Sequence, residues 1–156
     1  MGDLKLTRNK RFRQGYFYPK HPEKFKGKEP FAIYRSGLEL KYFRILDNNP
    51  NVIEWGSEEI VVPYFLNDAW HKYYIDLFVV FRVGDKIKKF FIELKPFAQT
   101  QPPEWKPRKR KASHLYECLE WNKNQAKWKY ADTFAKQKGF EFKILTEKDL
   151  EKYGKD

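Results

Sequence analysis

Tyr73-Tyr74-Ile75-Asp76-Leu77-Phe78-Val79-Val80-Phe81-Arg82-Val83, then Gly84-Asp85, then Lys86-Ile87-Lys88-Lys89-Phe90-Phe91-Ile92-Glu93-Leu94-Lys95 is the stretch whose reading decides the fold. Both arms are rich in aromatic and β-branched residues, and Gly-Asp between them is a two-residue turn signal, so the segment predicts a β-hairpin. With the turn centred on Gly84-Asp85, Asp76 and Glu93 each lie eight residues from the nearer turn residue and face one another. Directly opposed residues hold their Cβ atoms about 4.5–5.5 Å apart. Two carboxylates at that separation in an apolar ribbon are destabilising, because like charges repel and burial strips their hydration. A divalent cation held between them is the most economical compensation. Lys95 follows Glu93 by two residues and so projects from the same face. A structural ion pair with Lys95 is the ordinary explanation of a lone acid in a strand. The register coincidence and the Glu93-Leu94-Lys95 triplet favour the cation instead, although a one-residue slip would undo the opposition.

The rest of the chain constrains what such a hairpin serves. At 156 residues it suits one domain. With 14 Phe, 10 Tyr and 5 Trp the core can be built from rings, with some left for surface contacts. A formal net charge of +11 suits an anionic polymer such as nucleic acid, or an anionic membrane surface. The single cysteine, Cys118, excludes an intramolecular disulfide, and with only 3 His there is no zinc-ligand cluster. No apolar run reaches the ~18 residues of a membrane span, and the opening Met1-Gly2-Asp3-Leu4-Lys5-Leu6-Thr7-Arg8 predicts no signal peptide.

Residues 1–30 mix Arg8, Lys10, Arg11, Arg13 and further lysines with Phe12, Tyr16, Phe17, Tyr18 and Phe25, and Pro19, Pro22 and Pro30 oppose a long helix. They read as an extended basic, aromatic-rich arm ahead of a domain spanning 31–156. Such an arm either wraps the domain as a solvated tail or tracks a phosphate backbone. Ser36-Gly37-Leu38-Glu39 opens a helix with a stripe at Leu38, Tyr42, Ile45 and Leu46, stopped by Asp47-Asn48-Asn49-Pro50. Ser-x-x-Glu is a capping box, so Glu39 has a structural explanation in bonding back to the Ser36 amide. Strands are predicted from Asn51 to Trp55 and from Glu59 to Leu66, followed by a loop at Asn67-Asp68-Ala69-Trp70. After Lys95 an aperiodic stretch runs to about Ala112 and carries Lys106, Arg108, Lys109, Arg110 and Lys111, either as a phosphate clamp or as a disordered surface loop. Ser113 is expected to cap a long helix with Cys118, Trp121, Gln125, Trp128 and Ala135 on one face and a stop at Gly139. Gln125 on that stripe is a candidate for the edge of the site. Phe140, Phe142 and Ile144 alternate as a last strand, pairing parallel with the Glu93 strand because a helix intervenes, and Thr146-Glu147-Lys148-Asp149 starts a short terminal helix.

The order is therefore α-β-β-β-α-β, an α/β fold with a mixed sheet flanked by helices. With Ile75-Asp76, Glu93-Leu94-Lys95 and Glu39 so arranged, the chain resembles the PD-(D/E)xK nuclease superfamily, with Ile75 where the superfamily name has Pro. Arg35-Ser36-x-x-Glu39 and the run Gly139-Phe140-Glu141-Phe142-Lys143-Ile144-Leu145-Thr146 resemble transposon-end endonucleases, and the whole chain is similar to the small head-completion nucleases of T-even-type tailed phages. The resemblance implies a restriction-endonuclease-like core and phosphodiester hydrolysis at packaged genome ends. It implies Mg²⁺ or Mn²⁺ held by Asp76, Glu93 and the Leu94 main-chain carbonyl, with Glu39 a ligand directly or through water, and Lys95 orienting the attacking water. It implies DNA bound by its backbone through the basic arm and loop, and partners among head or portal-neck proteins. The location it implies is the host cytoplasm during assembly, or the virion itself. Related enzymes often pair to cut two strands, which makes a homodimer one expectation. A protein that keeps this fold but only binds DNA ends or portal proteins is the alternative, and an RNA-directed nuclease a third reading.

Overall fold

A computed structural model describes residues 13–153 of the chain. Strand β1 (Gly15–Phe17) pairs antiparallel with β2 (Ala32–Tyr34), and α1 (Gly37–Asn48) follows. Then come β3 (Val52–Ser57), β4 (Val61–Leu66), β5 (Ala69–Tyr74), β6 (Leu77–Val83) and β7 (Lys86–Leu94). A 3-10 turn at Phe97–Thr100 leads by a loop to α2 (Lys111–Gln137), β8 (Glu141–Leu145) and a short helical end. The main sheet has the order β3-β6-β7-β8, with β8 parallel to β7 and the other pairs antiparallel. Removing the β4–β5 hairpin, a separate two-stranded sheet, leaves α1-β3-β6-β7-α2-β8. That is the predicted α-β-β-β-α-β order.

The central hairpin forms in the predicted register, from Val83 opposite Lys86 to Leu77 opposite Ile92. Gly84, at the first turn position, has φ +63°, the left-handed value that a two-residue turn with a leading glycine uses. Alternation then sorts the side chains to two faces. Leu77, Val79, Phe90, Ile92 and Leu94 join Tyr42, Phe43 and Leu46 of α1 in one core. Phe91 joins Trp128, Ala131 and Ala135 of α2 and Val62, Tyr64, Tyr73 and Ile75 in another.

The structure corrects four expectations. The arm read as one strand from Tyr73 to Val83 is broken at Ile75-Asp76, where the chain leaves the sheet of β5 and enters that of β6. The Ile75 amide donates to the Ile60 carbonyl (3.0 Å) and the Asp76 carbonyl accepts from Glu58 (3.2 Å), which draws both residues out of the ladder. Asn67-Asp68-Ala69-Trp70 is no plain loop: Asn67 (φ 52°) and Asp68 (φ 59°) make a tight turn into β5, a conformation these two residue types tolerate better than most. Helix α2 starts at Lys111 with Arg110 as its N-cap, so Ser113 lies inside it. In α1, Tyr42 and Leu46 are buried as expected, but Leu40 and Phe43 go deeper than Leu38 and Ile45, the Phe43 ring packing tilted against Trp55 at 5.4 Å between centroids.

The described part of the basic arm lies against the domain. Phe17 packs on Phe43 and Trp55, and Phe25 on Trp55. Asp47, 1% exposed, accepts from the Lys20 and His21 amides at 2.8 and 3.0 Å. Lys24 donates its ammonium to the Asp47 and Asn49 carbonyls. Gly56 lets this segment approach: a Cβ there would lie 2.5 Å from the Lys26 carbonyl oxygen and 2.3 Å from the Phe78 ring.

Candidate active site

The crossover that breaks the predicted strand also builds the site. Asp76 sits immediately before β6, and its Oδ2 accepts from the Leu94 amide at 2.8 Å, tying it to the end of β7. Glu93, 5% exposed, and Asp76 each lie one residue beyond the last β6–β7 pair, Leu77–Ile92, and the Leu94 amide on Asp76 brings the two acids side by side. Tyr73, from the end of β5, donates its hydroxyl to Glu93 Oε2. Lys95 Nζ stands 3.6 Å from Glu93 Oε1, and its amide donates to the Leu145 carbonyl (3.0 Å), fixing the strand end to β8. Glu39 comes from the first turn of α1, on the helix that packs against the other face. Its amide donates to Ser36 Oγ (3.1 Å), but its carboxylate accepts from the Arg35 amide rather than that of Ser36. The capping box is thus displaced by one residue.

The electrostatics are those of crowded, desolvated acids. Loss of hydration pushes the Asp76 carboxyl well above the usual carboxylate range, and the charges of Glu93 and then Glu39 push it further against the Leu94 hydrogen bond. Burial is also the main cause that raises Glu39 to about 7, opposed by the Arg35 amide and reinforced by Glu58 and Glu93. Tyr73 is held protonated by burial first and by Glu93 and Asp76 next, so it remains a donor to Glu93. Lys127 of α2 places its ammonium 5.2 Å from the Tyr73 ring and 6.0 Å from that of Tyr64. Burial first, and Lys123 second, hold it below its ordinary range, with Glu93 opposing.

Glu39, Asp76, Glu93 and Lys95 are therefore brought into one electrostatic neighbourhood. Among the described residues no three His, Cys, Asp or Glu side chains converge tightly enough to enclose a metal ion alone. A Mg²⁺-type ion does not need three: it binds through one or two carboxylates and keeps several waters. The pair Asp76–Glu93, hard oxygen donors whose mutual repulsion nothing nearby fully offsets, fits such an ion. Glu39 stands outside that pair.

The other predicted residues divide. Arg8, Lys10 and Arg11 lie outside the described residues, and Arg13 is exposed. Lys106, Arg108, Arg110 and Lys111 are exposed around the loop that enters α2, and Lys106 lines a cleft shared with Lys95. Lys109 is engaged internally, 2.7 Å from Glu117 and 2.6 Å from the Glu104 carbonyl oxygen. Gln125 is exposed; the buried stripe of α2 runs through Asn124, Trp128, Ala131 and Ala135, and Asn124 lines the cleft instead. Sequence reasoning missed Tyr73, Lys127 and Asn124. Only Asn124 carried a local signal, since it shares the four- and seven-residue spacing of Trp128 and Ala131.

The architecture is that of a restriction-endonuclease-like α/β domain, with two opposed acids and a lysine at one end of its central strands. The family described as TnsA-like endonuclease, N terminal, matches residues 49–147, and the chain belongs to it. It is also similar to the head completion nuclease of Enterobacteria phage T4, at 39% identity over 146 residues that cover 90% of this chain and 95% of the phage protein. The family match takes in Asp76, Glu93 and Lys95 and begins after Glu39. Among the described residues no helix is long and apolar enough to cross a membrane.

Proposed function

We propose that the chain is a metal-dependent DNA endonuclease that acts on packaged genome ends during phage head completion. The observation that carries this reading is the opposition of Asp76 and Glu93 beside Lys95 at the end of the central hairpin. Membership of an endonuclease family and the likeness to a phage head completion nuclease support it. Asp76, Glu93 and the Leu94 carbonyl would hold Mg²⁺ or Mn²⁺, with Glu39 reaching it through water. When bound, such an ion lowers the pKa of a coordinated water and offsets charge that builds on the scissile phosphate.

The chain's own residues do the rest. Tyr73 and Lys95 fix the two oxygens of Glu93, so its orientation is set before substrate arrives. The Leu94 amide does the same for Asp76. Lys95 orients the attacking water and stabilises the doubly charged transition state as a compact point charge. Lys106, Arg108, Arg110 and Lys111 hold the DNA backbone without reading bases, which makes binding salt-dependent.

The test is digestion of linear, nicked and branched DNA by purified protein across a panel of divalent metals. Cutting with Mg²⁺ or Mn²⁺ that disappears in Asp76→Ala and Lys95→Ala, while DNA is still bound, supports the reading. Wild-type cutting by Asp76→Ala sinks the assigned site. Binding without cutting under every metal sinks the enzyme.

A further inference from the structure

A cleft of about 790 Å³ opens from Lys95 and runs between the loop after β7 and the N-terminal half of α2. This half of the helix contributes nothing to the buried core, whose α2 members begin at Asn124. Trp121 and Asn124, three residues apart, share one face of α2 on the groove side, and Tyr116 stands at the helix edge of the same groove with Glu117 and Glu120 between. Phe97, Gln99 and Gln101 stand on the other. Its walls thus set three rings and three amides among charged side chains. The loop is fastened to the helix by Lys109, which bonds Glu117 and the Glu104 carbonyl, and by Trp105 packed edge-on against His114 at 5.2 Å.

The charges of the groove argue about its occupant. Glu104, Glu117 and Glu120 line it together with Lys95, Lys106 and Lys109, and Lys109 is already neutralised by Glu117. A channel for a phosphate backbone needs unopposed cations, and this one has three charges of each sign. Neutral planar groups suit it better. Nucleobases stack on rings and bond to amides, but only when they are out of a duplex.

We propose that this cleft takes unpaired bases of a DNA strand end and feeds the adjoining phosphodiester to Asp76, Glu93 and Lys95. The proposal rests on the nuclease reading above and names its substrate as a frayed or tailed end rather than a blunt duplex. Trp121, half-buried at the cleft wall five residues beyond the exposed Tyr116, is its principal stacking platform.

The experiment measures binding by fluorescence anisotropy with Ca²⁺ in place of Mg²⁺, on a blunt duplex and on the same duplex carrying a single-stranded tail. A tail of about six nucleotides lies within the site size of aromatic single-strand grooves. Wild-type protein should bind the tailed DNA about ten-fold more tightly, the worth of roughly one stacked base. Trp121→Ala should bring the tailed-to-blunt ratio to about one, and Trp121→Phe should keep most of it. 2-Aminopurine in the tail should lose fluorescence on binding to wild type, a readout that stands even if Trp121→Ala does not fold. A wild-type ratio near one, a ratio untouched by Trp121→Ala, or an unquenched tail each overturns the proposal. Cutting assayed separately with Mg²⁺ keeps the two ideas apart: cutting without tail preference removes the cleft assignment alone, and failure to cut any DNA removes the nuclease reading.

Discussion

Two aspartates tied down by main-chain amides meet opposite fates in this protein. Asp47 at the end of α1 is 1% exposed, and the chain answers it: the Lys20 and His21 amides donate to both its oxygens. Asp76 receives one amide, from Leu94, and then meets Glu93 and Glu39. The first carboxylate is satisfied by its own polypeptide and locks the N-terminal segment onto the domain. The second keeps Glu93 as a carboxylate neighbour. Although Tyr73 and Lys95 engage Glu93, Asp76 is still held well above the usual carboxylate range by desolvation and Glu93, which is the condition for holding a cation. Burial of an acid is therefore no signal by itself; its remaining partners decide whether it is structural or chemical.

The contrast can be broken at either end. Asp76→Asn should reduce metal-supported cutting by a factor of about 10³ or more, as loss of a transition-state-organising group does. Its thermal midpoint should equal or exceed that of wild type at pH 8, since a buried repulsion is removed. A destabilised Asp76→Asn would mean that this acid, too, is structural. Asp47→Ala should do the reverse, costing about 3 kcal/mol in denaturant unfolding as the Lys20 and His21 amides that pin the N-terminal segment lose their charged acceptor. Cutting per folded molecule should be retained.

Glu39 lies between these cases, and pH separates them. Its folded pKa of about 7 stands above its ordinary value of 4.5, so it adds stability that is full below pH 4.5 and is lost as pH rises through 7. At about 1.4 kcal/mol per unit the loss is up to about 3 kcal/mol in metal-free protein. Glu39→Gln should flatten the stability profile over that window; an unchanged profile would show that Glu39 ionises freely in the fold. The smallest effect is expected at the surface. Reversing Arg108 and Arg110 to Glu should weaken DNA binding evenly across sequences and lower the salt-dependence slope by about two, one per phosphate contact. Lys109, engaged with Glu117, should instead alter the loop's thermal stability more than the slope.

The hairpin register was readable because Gly84-Asp85 leaves two strands one way to pair, and the observed partners follow it from Val83–Lys86 to Leu77–Ile92. The order of the core elements was readable from periodicity, and with it the parallel pairing of β8. The break at Ile75-Asp76 was not, because nothing local distinguishes a strand that stays in one sheet from one that crosses to another. Its cause is a pair of backbone hydrogen bonds, to Ile60 and Glu58, some fifteen residues back in the chain. The placement of Gln125 failed for a related reason: a helical stripe fixes which residues share a face, but the neighbour that buries the face chooses the stripe.

Local sequence sufficed for whatever depends on steric and turn rules within a few residues: the hairpin, its register, and so the opposition of Asp76 to Glu93 with Lys95 beside them. Only the folded chain decided what surrounds them. Tyr73 holding Glu93, Glu39 approaching from the helix on the other face, Asn124 turned inward and the cleft beyond Lys95 all join residues distant in sequence. Burial and hydrogen bonding at such contacts are properties of the assembled packing, which no short window of sequence contains.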